Sequence, residues 1–189
     1  MAESQRLTTI DRPYVIENAS LGLLNLVGEA ADDLLARDRA DLAPVFAGRV
    51  QVSTRAVPRC NLLFLYCALD TSARVSGTEF SLRGVIKAAG AHVAVVASEV
   101  PAEILMAPGF GSSLGSARDW SANIVITMNR NGDSFGRFFR ELFSQMQDGK
   151  TMPMAWVTLA PQVPQQSDDI PGTVCLMEAG HIAFGARKD

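Results

Sequence analysis

One cysteine stands where this chain could place a nucleophile. Cys67 ends the apolar run Asn61 to Cys67, and the polar, turn-rich stretch Asp70 to Gly77 follows it. A short apolar run bounded by turn signals is typical of a central strand that is buried on both faces. Open α/β sheets carry out their chemistry at the carboxyl ends of such strands. The pattern therefore predicts for Cys67 a position suited to thiol catalysis, which also needs a base beside the sulfur.

A base for Cys67 is hard to find in the sequence. No histidine precedes Cys67, and the two histidines are His92 and His181. His92 opens a predicted strand, so it would lie at the opposite edge of a parallel sheet. His181 follows a hairpin glycine, and it could act as the base only if folding or a second subunit brings it to the sulfur. Because cysteine is among the most buried residue types, the residues favour an unreactive, buried Cys67.

Four more residues are candidates for contacting a substrate or ligand. Asp70 could accept a hydrogen bond from a substrate or hold its loop, and Arg74 is the nearby cation that would favour a thiolate. Gly109 and Gly111 belong to the segment 107–116, whose small residues predict a mobile loop suited to a lid or a partner-binding surface. As a phosphate-binding loop the segment departs from the dinucleotide fingerprint, because its third glycine is displaced.

Composition argues against several classes of function. The chain has 189 residues, 48% hydrophobic and 20% charged, which predicts one globular domain over residues 1–189. A net charge of −3 without a run of Lys or Arg argues against a nucleic-acid partner. The longest uncharged segment is shorter than the roughly 20 apolar residues that a membrane span needs. Three cysteines and two histidines, without paired spacing, predict reduced thiols in a cytoplasmic protein that holds no metal or cofactor.

Periodicity predicts an α/β fold with a mostly parallel central sheet flanked by helices. The predicted strands cover 14–17, 50–53, 61–67, 92–97 and 122–127, and the predicted helices cover about 20–35, 79–89 and 133–149. The strand, helix and strand within 61–97 form a βαβ unit, which requires a parallel pairing. Segment 152–160 suits either a helix or a strand. Residues 173–178 and 181–184 are expected to form a closing C-terminal β-hairpin.

From about Asn61 to Phe184 the order of these features resembles the CHAT family, caspase-like relatives of cysteine peptidases that often occur beside helical-repeat domains. The matching pieces are the strand ending in Cys67, the helix leading into Ala88-Ala89-Gly90-Ala91, the strand Val93 to Ala97 with Val100-Pro101 after it, the phenylalanine-rich helix 134–149, the segment 154–160 and the terminal hairpin from Pro171-Gly172 to Gly180. The resemblance implies a caspase-like fold, and a flavodoxin-like sheet is the alternative. It also implies a thiolate paired with a histidine that a glycine follows, and no such pair precedes Cys67.

Three functions remain open at this point. The favoured one is a non-catalytic caspase-like module that binds a protein partner or a second copy of itself. The second is a cysteine-dependent peptidase or other hydrolase with Cys67 as its nucleophile. The third is small-ligand binding, with the glycine-rich segment lying over the carboxyl edge of the sheet.

Overall fold

Six strands form one mixed sheet in the computed structural model, which describes residues 13–115, 120–159 and 170–185. The strands along the chain are β1 (Tyr14–Ile16), β2 (Leu21–Asn25), β3 (Val50–Ser53), β4 (Leu62–Tyr66), β5 (Val93–Val96), β6 (Asn123–Asn129), β7 (Gly172–Met177) and β8 (Ile182–Phe184). The sheet order is β3-β2-β4-β5-β6-β7, with β7 antiparallel to β6 and the other pairs parallel. The predicted α/β class and mostly parallel sheet are confirmed.

Helices cover both faces of this sheet. They are α1 (Asp32–Leu42), α2 (Leu82–Ala89), α3 (Ala102–Leu105), α4 (Pro108–Gly115), α5 (Ser134–Gln147) and α6 (Met152–Leu159). Helices α1, α5 and α6 share one buried apolar cluster, here called the α5 layer, and α2 and α4 share the other, the α2 layer. Because successive strand residues point to opposite faces, Phe64 packs in the α5 layer while Leu63 and Leu65 pack in the α2 layer. Both faces of the central strands are therefore buried, which explains their continuous apolar sequence.

The predicted first helix is wrong at its beginning. Leu23 and Leu24 lie on the fully buried strand β2, and α1 begins only at Asp32. Their spacing fits a helical stripe, but a short apolar run fits a buried strand equally well. The partners decide between the two, since β3 and β4 flank β2 on both sides.

Gly22, the second residue of β2, provides a test of this strand. A Cβ atom there would lie 2.6 Å from Cys60 Sγ and 2.8 Å from Pro58 Cγ. We expect Gly22→Ala to lower the free energy of unfolding by about 1–3 kcal/mol, as overpacking does. In a helix the same change would raise it by about 1 kcal/mol. Gly111→Ala is the matched control for urea unfolding, because Gly111 is helical and a Cβ there meets nothing within 4 Å. A stabilised Gly22→Ala variant would contradict the strand.

The glycine-rich segment forms helix α4 from Pro108 to Gly115, so the predicted mobile loop is wrong. Phe110 and Leu114, one turn apart, are buried in the α2 layer and hold α4 in place. A Cβ on Gly109 would lie 3.0 Å from the Thr71 carbonyl, so this glycine permits close packing. Segment 152–160, which suited either a helix or a strand, forms helix α6 from Met152 to Leu159. Ser116 and Ala160, the last residues of these two segments, lie outside the described residues.

The last two predicted strands exist, but they belong to different sheets. β7 pairs with β6, whereas β8 pairs in parallel with β1 and forms a small second sheet. The turn between them therefore links two sheets, and the ladder partners differ from those of a closing hairpin. Over the described ranges, no helix combines the length and the apolar character needed to cross a membrane.

Candidate functional site

The chain changes its winding direction between β2 and β4. It leaves β2 for β3 on one side and returns to place β4 on the other side of β2. In open α/β sheets, ligands bind outside the carboxyl ends of the strands at such a point. Here those ends are Asn25 and Tyr66, followed by Cys67. The Asn25 amide donates to the Gly28 carbonyl and to the Asp32 carboxylate, both at 2.9 Å, so it builds the turn into α1.

Cys67 directly follows β4 and is buried, with 1% of its surface exposed. It packs in the α2 layer. Burial raises the pKa of the Cys67 thiol to about 12, because no solvent stabilises the thiolate. The sulfur is therefore protonated at neutral pH, whereas nucleophilic attack requires the thiolate.

Both histidines lie at the opposite edge of the sheet from Cys67. The His92 N–H donates to the carbonyl of Asn61 at the beginning of β4. Cys67 is six residues further along, which at the rise of a strand is roughly 20 Å. His181 is next to Gly180, whose carbonyl accepts a hydrogen bond from Asn123 at the beginning of β6. Within one copy of the chain, both imidazoles therefore lie at the other edge of the sheet from the Cys67 sulfur.

His92 instead belongs to an aromatic stack. Its ring lies 5.0 Å from Trp120 and 5.1 Å from Tyr14, measured between ring centroids. Burial lowers the pKa of His92, which favours its neutral form. This imidazole therefore contributes to packing at the amino edge.

Asp70 and Arg74 together form a turn. The Asp70 carboxylate accepts the backbone N–H of Arg74 at 3.0 Å and that of Ser72 at 2.8 Å. These hydrogen bonds lower the pKa of Asp70. Ala73, between them, has a positive φ of 54°, which the turn requires. Gly109 approaches the same turn at the carbonyl of Thr71. The structure therefore brings three predicted site residues together in a structural role, while Gly111 faces open space.

A buried ion-pair network at the carboxyl edge was missed by the sequence reasoning. The Tyr66 hydroxyl donates to one oxygen of Asp38 at 2.8 Å, and the Arg130 guanidinium donates to the other at 2.7 Å. Arg130 also donates to the Ala97 carbonyl at 2.7 Å, and its central carbon lies 3.8 Å above the Phe135 ring. The network joins α1 to the ends of β4, β5 and β6.

The ionisation of this network follows from its burial. Burial raises the pKa of the Asp38 carboxyl, and the hydrogen bonds from Arg130 and Tyr66 oppose that shift. One sequence signal was present: Asp38 lies between Leu35 and Leu42 on the buried stripe of α1. An acid on a core-facing stripe requires a buried partner.

An open crevice of about 460 Å³ lies beside this network. Its lining residues are Val27, Ala30, Ala31, Leu34, Arg37, Ser98, Glu99, Arg130, Gly132 and Asp133. Arg37 and Asp133 form an exposed ion pair at 2.6 Å. The lining, taken from the described part of the chain, contains neither imidazole nor thiol, and its polar side chains are those of Arg37, Ser98, Glu99, Arg130 and Asp133.

The fold and this edge define an α/β protein with a mostly parallel six-stranded sheet, a buried ion-pair network and an open crevice. Comparison with protein-family models, with curated proteins and with solved structures finds no match for the chain.

Proposed function

We propose that this chain is a non-catalytic caspase-like α/β domain that acts by binding protein. The observation that carries the proposal is the separation of Cys67 from both imidazoles. Burial also keeps the thiol protonated, with a pKa of about 12. A thiol without a base and without solvent cannot supply the thiolate that cysteine peptidases use.

The strand order supports the caspase-like assignment. Numbered within the sheet, the parallel strands follow the order 2-1-3-4-5, which flavodoxin-like sheets also have. The antiparallel strand β7 lies beside β6 and extends this order by one strand. The CHAT resemblance has a terminal hairpin at Pro171 to Gly180; β7 is its first strand, and its place in the main sheet supports the caspase-like alternative.

The two other functions have less support. Catalysis by Cys67 would need His181 from a second subunit, because the chain holds His181 at the amino edge. Small-ligand binding was expected from a glycine-rich loop over the carboxyl edge, but that segment forms α4 in the α2 layer. The open crevice beside Arg130 is the feature that still supports small-ligand binding.

Iodoacetamide labelling of the native chain tests the proposal, with each cysteine quantified by mass spectrometry. We expect Cys67 to react at least about tenfold more slowly than the half-buried Cys175, because burial withholds both access and thiolate. The denatured chain is the control, in which both thiols should react alike. Faster labelling of Cys67 than of Cys175, with an apparent pKa below the free-thiol value, would show an activated nucleophile and overturn the proposal.

A further inference from the structure

The outer edge of β7 is open. Among the residues that the structure describes, β7 pairs with β6 alone. The Asn123 N–H points away from β7, since it donates to the His92 carbonyl. Alternation along β6 then turns the backbone groups of Ile124 and Ile126 toward β7, opposite Leu176 and Val174. Three residues of β7 alternate with these and direct their backbone groups outward; they are Thr173, Cys175 and Met177.

This edge lacks the features that keep sheet edges apart. Gly172–Met177 contains no charged residue and no proline. The opposite edge strand, β3, has four residues against the six of β7. Arg49 directly precedes β3, whereas Pro171 and Glu178 directly flank β7 and leave the strand itself without charge. A long, uncharged edge strand is a template for pairing with another strand, whereas short or charged edges resist it.

We propose that two copies of this chain associate by antiparallel pairing of β7 with β7 about a two-fold axis at Cys175. This register sets Thr173 opposite Met177 of the other copy and Cys175 opposite itself. It therefore uses all three outward-facing residues of both strands, whereas a register shifted by two residues uses only two, and a shift by one residue sets outward-facing residues opposite inward-facing ones. The Met177 carbonyl already accepts the Gly180 N–H at 3.4 Å, and its second lone pair remains for the partner. The inference rests on the proposed protein-binding function and names a second copy as the partner.

Helix α6 supplies a second, independent observation at the same end of the molecule. α5 contacts α1 on one side and α6 on the other, so α6 is outermost in its layer. Trp156 packs on Phe138 and Phe139 of α5. Met154, two residues earlier, lies on the opposite side of α6 and is 58% exposed. Pairing of β7 would bring the two copies of this apolar side chain toward the same axis and remove them from water.

The three native cysteines provide the test. In the proposed register the two Cys175 Cα atoms are about 5.5 Å apart, within the range that a disulfide spans. Cys60 and Cys67 are buried, so an oxidant should reach Cys175 first. Mild oxidation of the full chain should yield a covalent dimer linked at Cys175, and Cys175→Ser should abolish the link. Sedimentation under reducing conditions should show a concentration-dependent dimer for both proteins.

Met154→Lys is the matched charge variant, because the residue is exposed and the fold should tolerate it. Like charges facing each other across the axis should weaken the dimer at least about tenfold. Met106→Lys, at an 82% exposed position in the other layer, should change nothing. A monomer at every concentration, or a dimer without a Cys175 link, would overturn the inference. Either result leaves the labelling of Cys67 unaffected, so failure of the dimer and failure of the non-catalytic proposal are distinguishable.

Discussion

Replacing Arg130 by methionine is expected to lower the free energy of unfolding by about 3–5 kcal/mol. Methionine keeps much of the packing on Phe135 but removes the charge that pairs with Asp38 at 2.7 Å. Asp38 is 1% exposed, so its carboxylate would be left buried with Tyr66 as its remaining donor. Breaking a buried pair by removing one partner leaves an uncompensated charge, and this cost is much larger than the net value of the pair. Urea unfolding of the variant measures the loss.

The control is the same substitution at the neighbouring ion pair. Arg37 pairs with Asp133 at 2.6 Å, but the two side chains are 57% and 79% exposed. Because water screens such a pair, Arg37→Met should cost no more than about 1 kcal/mol. Equal effects of the two substitutions would show that the Arg130 network is not the buried support described above.

The loss in Arg130→Met should also depend on pH. Without the guanidinium, burial dominates and the pKa of Asp38 in the folded state rises further above that of the unfolded chain. The folded state then binds the proton more tightly, so the variant is favoured at low pH and loses stability as pH rises through the folded-state pKa. Unfolding at acidic and at neutral pH should therefore show a larger deficit at neutral pH.

Phe64→Ala is expected to lower the free energy of unfolding by about 3–5 kcal/mol, because it leaves a cavity between the sheet and α5. The Phe64 ring meets three rings of α5 edge-on, with centroid distances of 6.3 Å to Phe135, 5.4 Å to Phe139 and 6.0 Å to Phe143. The ring is fully buried, so solvent cannot replace these contacts. Thermal and urea unfolding followed by circular dichroism measure the loss.

Phe80→Ala is the control for the same change of side chain. Phe80 lies in the predicted helix 79–89, but α2 begins at Leu82 and Phe80 is 64% exposed. An exposed substitution of this kind should stay within about 0.5 kcal/mol of the native chain. A large loss at Phe80 and a small one at Phe64 would contradict the assignment of the two rings.

The ion-pair network gives the carboxyl edge a structural purpose. Tyr66 ends β4, Arg130 follows β6, and Asp38 lies on α1. An enzyme with an open α/β sheet would hold its reacting groups at this edge. Their polar atoms are satisfied by one another and by the Ala97 carbonyl. We therefore expect this edge to contribute rigidity, and the proposed dimer would use the β7 edge instead.

The sequence by itself determined the elements whose signals are local. The strands around Phe64 and Val95 are uninterrupted apolar runs, and both faces of such runs must be buried wherever the chain places them. The end of helix α2 is set locally, since Gly90 closes the helix with a φ of 70°. Its beginning was predicted at residue 79, whereas the helix begins after Ser81, whose side chain accepts the Gly84 N–H at 3.0 Å. The phenylalanine stripe of α5 likewise needs no knowledge of its partner to be predicted as a buried face.

Only the tertiary structure decided the features that depend on partners distant in the chain. The sequence around Leu23 and Leu24 fits either a helix or a strand, and the pairing with β3 and β4 decides for a strand. The sequence of β7 and β8 resembles a hairpin, but β7 pairs with β6 and β8 pairs with β1. Arg130 and Asp38 are 92 residues apart, and no local pattern links them. The distance between Cys67 and the imidazoles depends in the same way on which strand ends share an edge. Local periodicity reports burial, whereas pairing is set by the competition among all strands for the same neighbours.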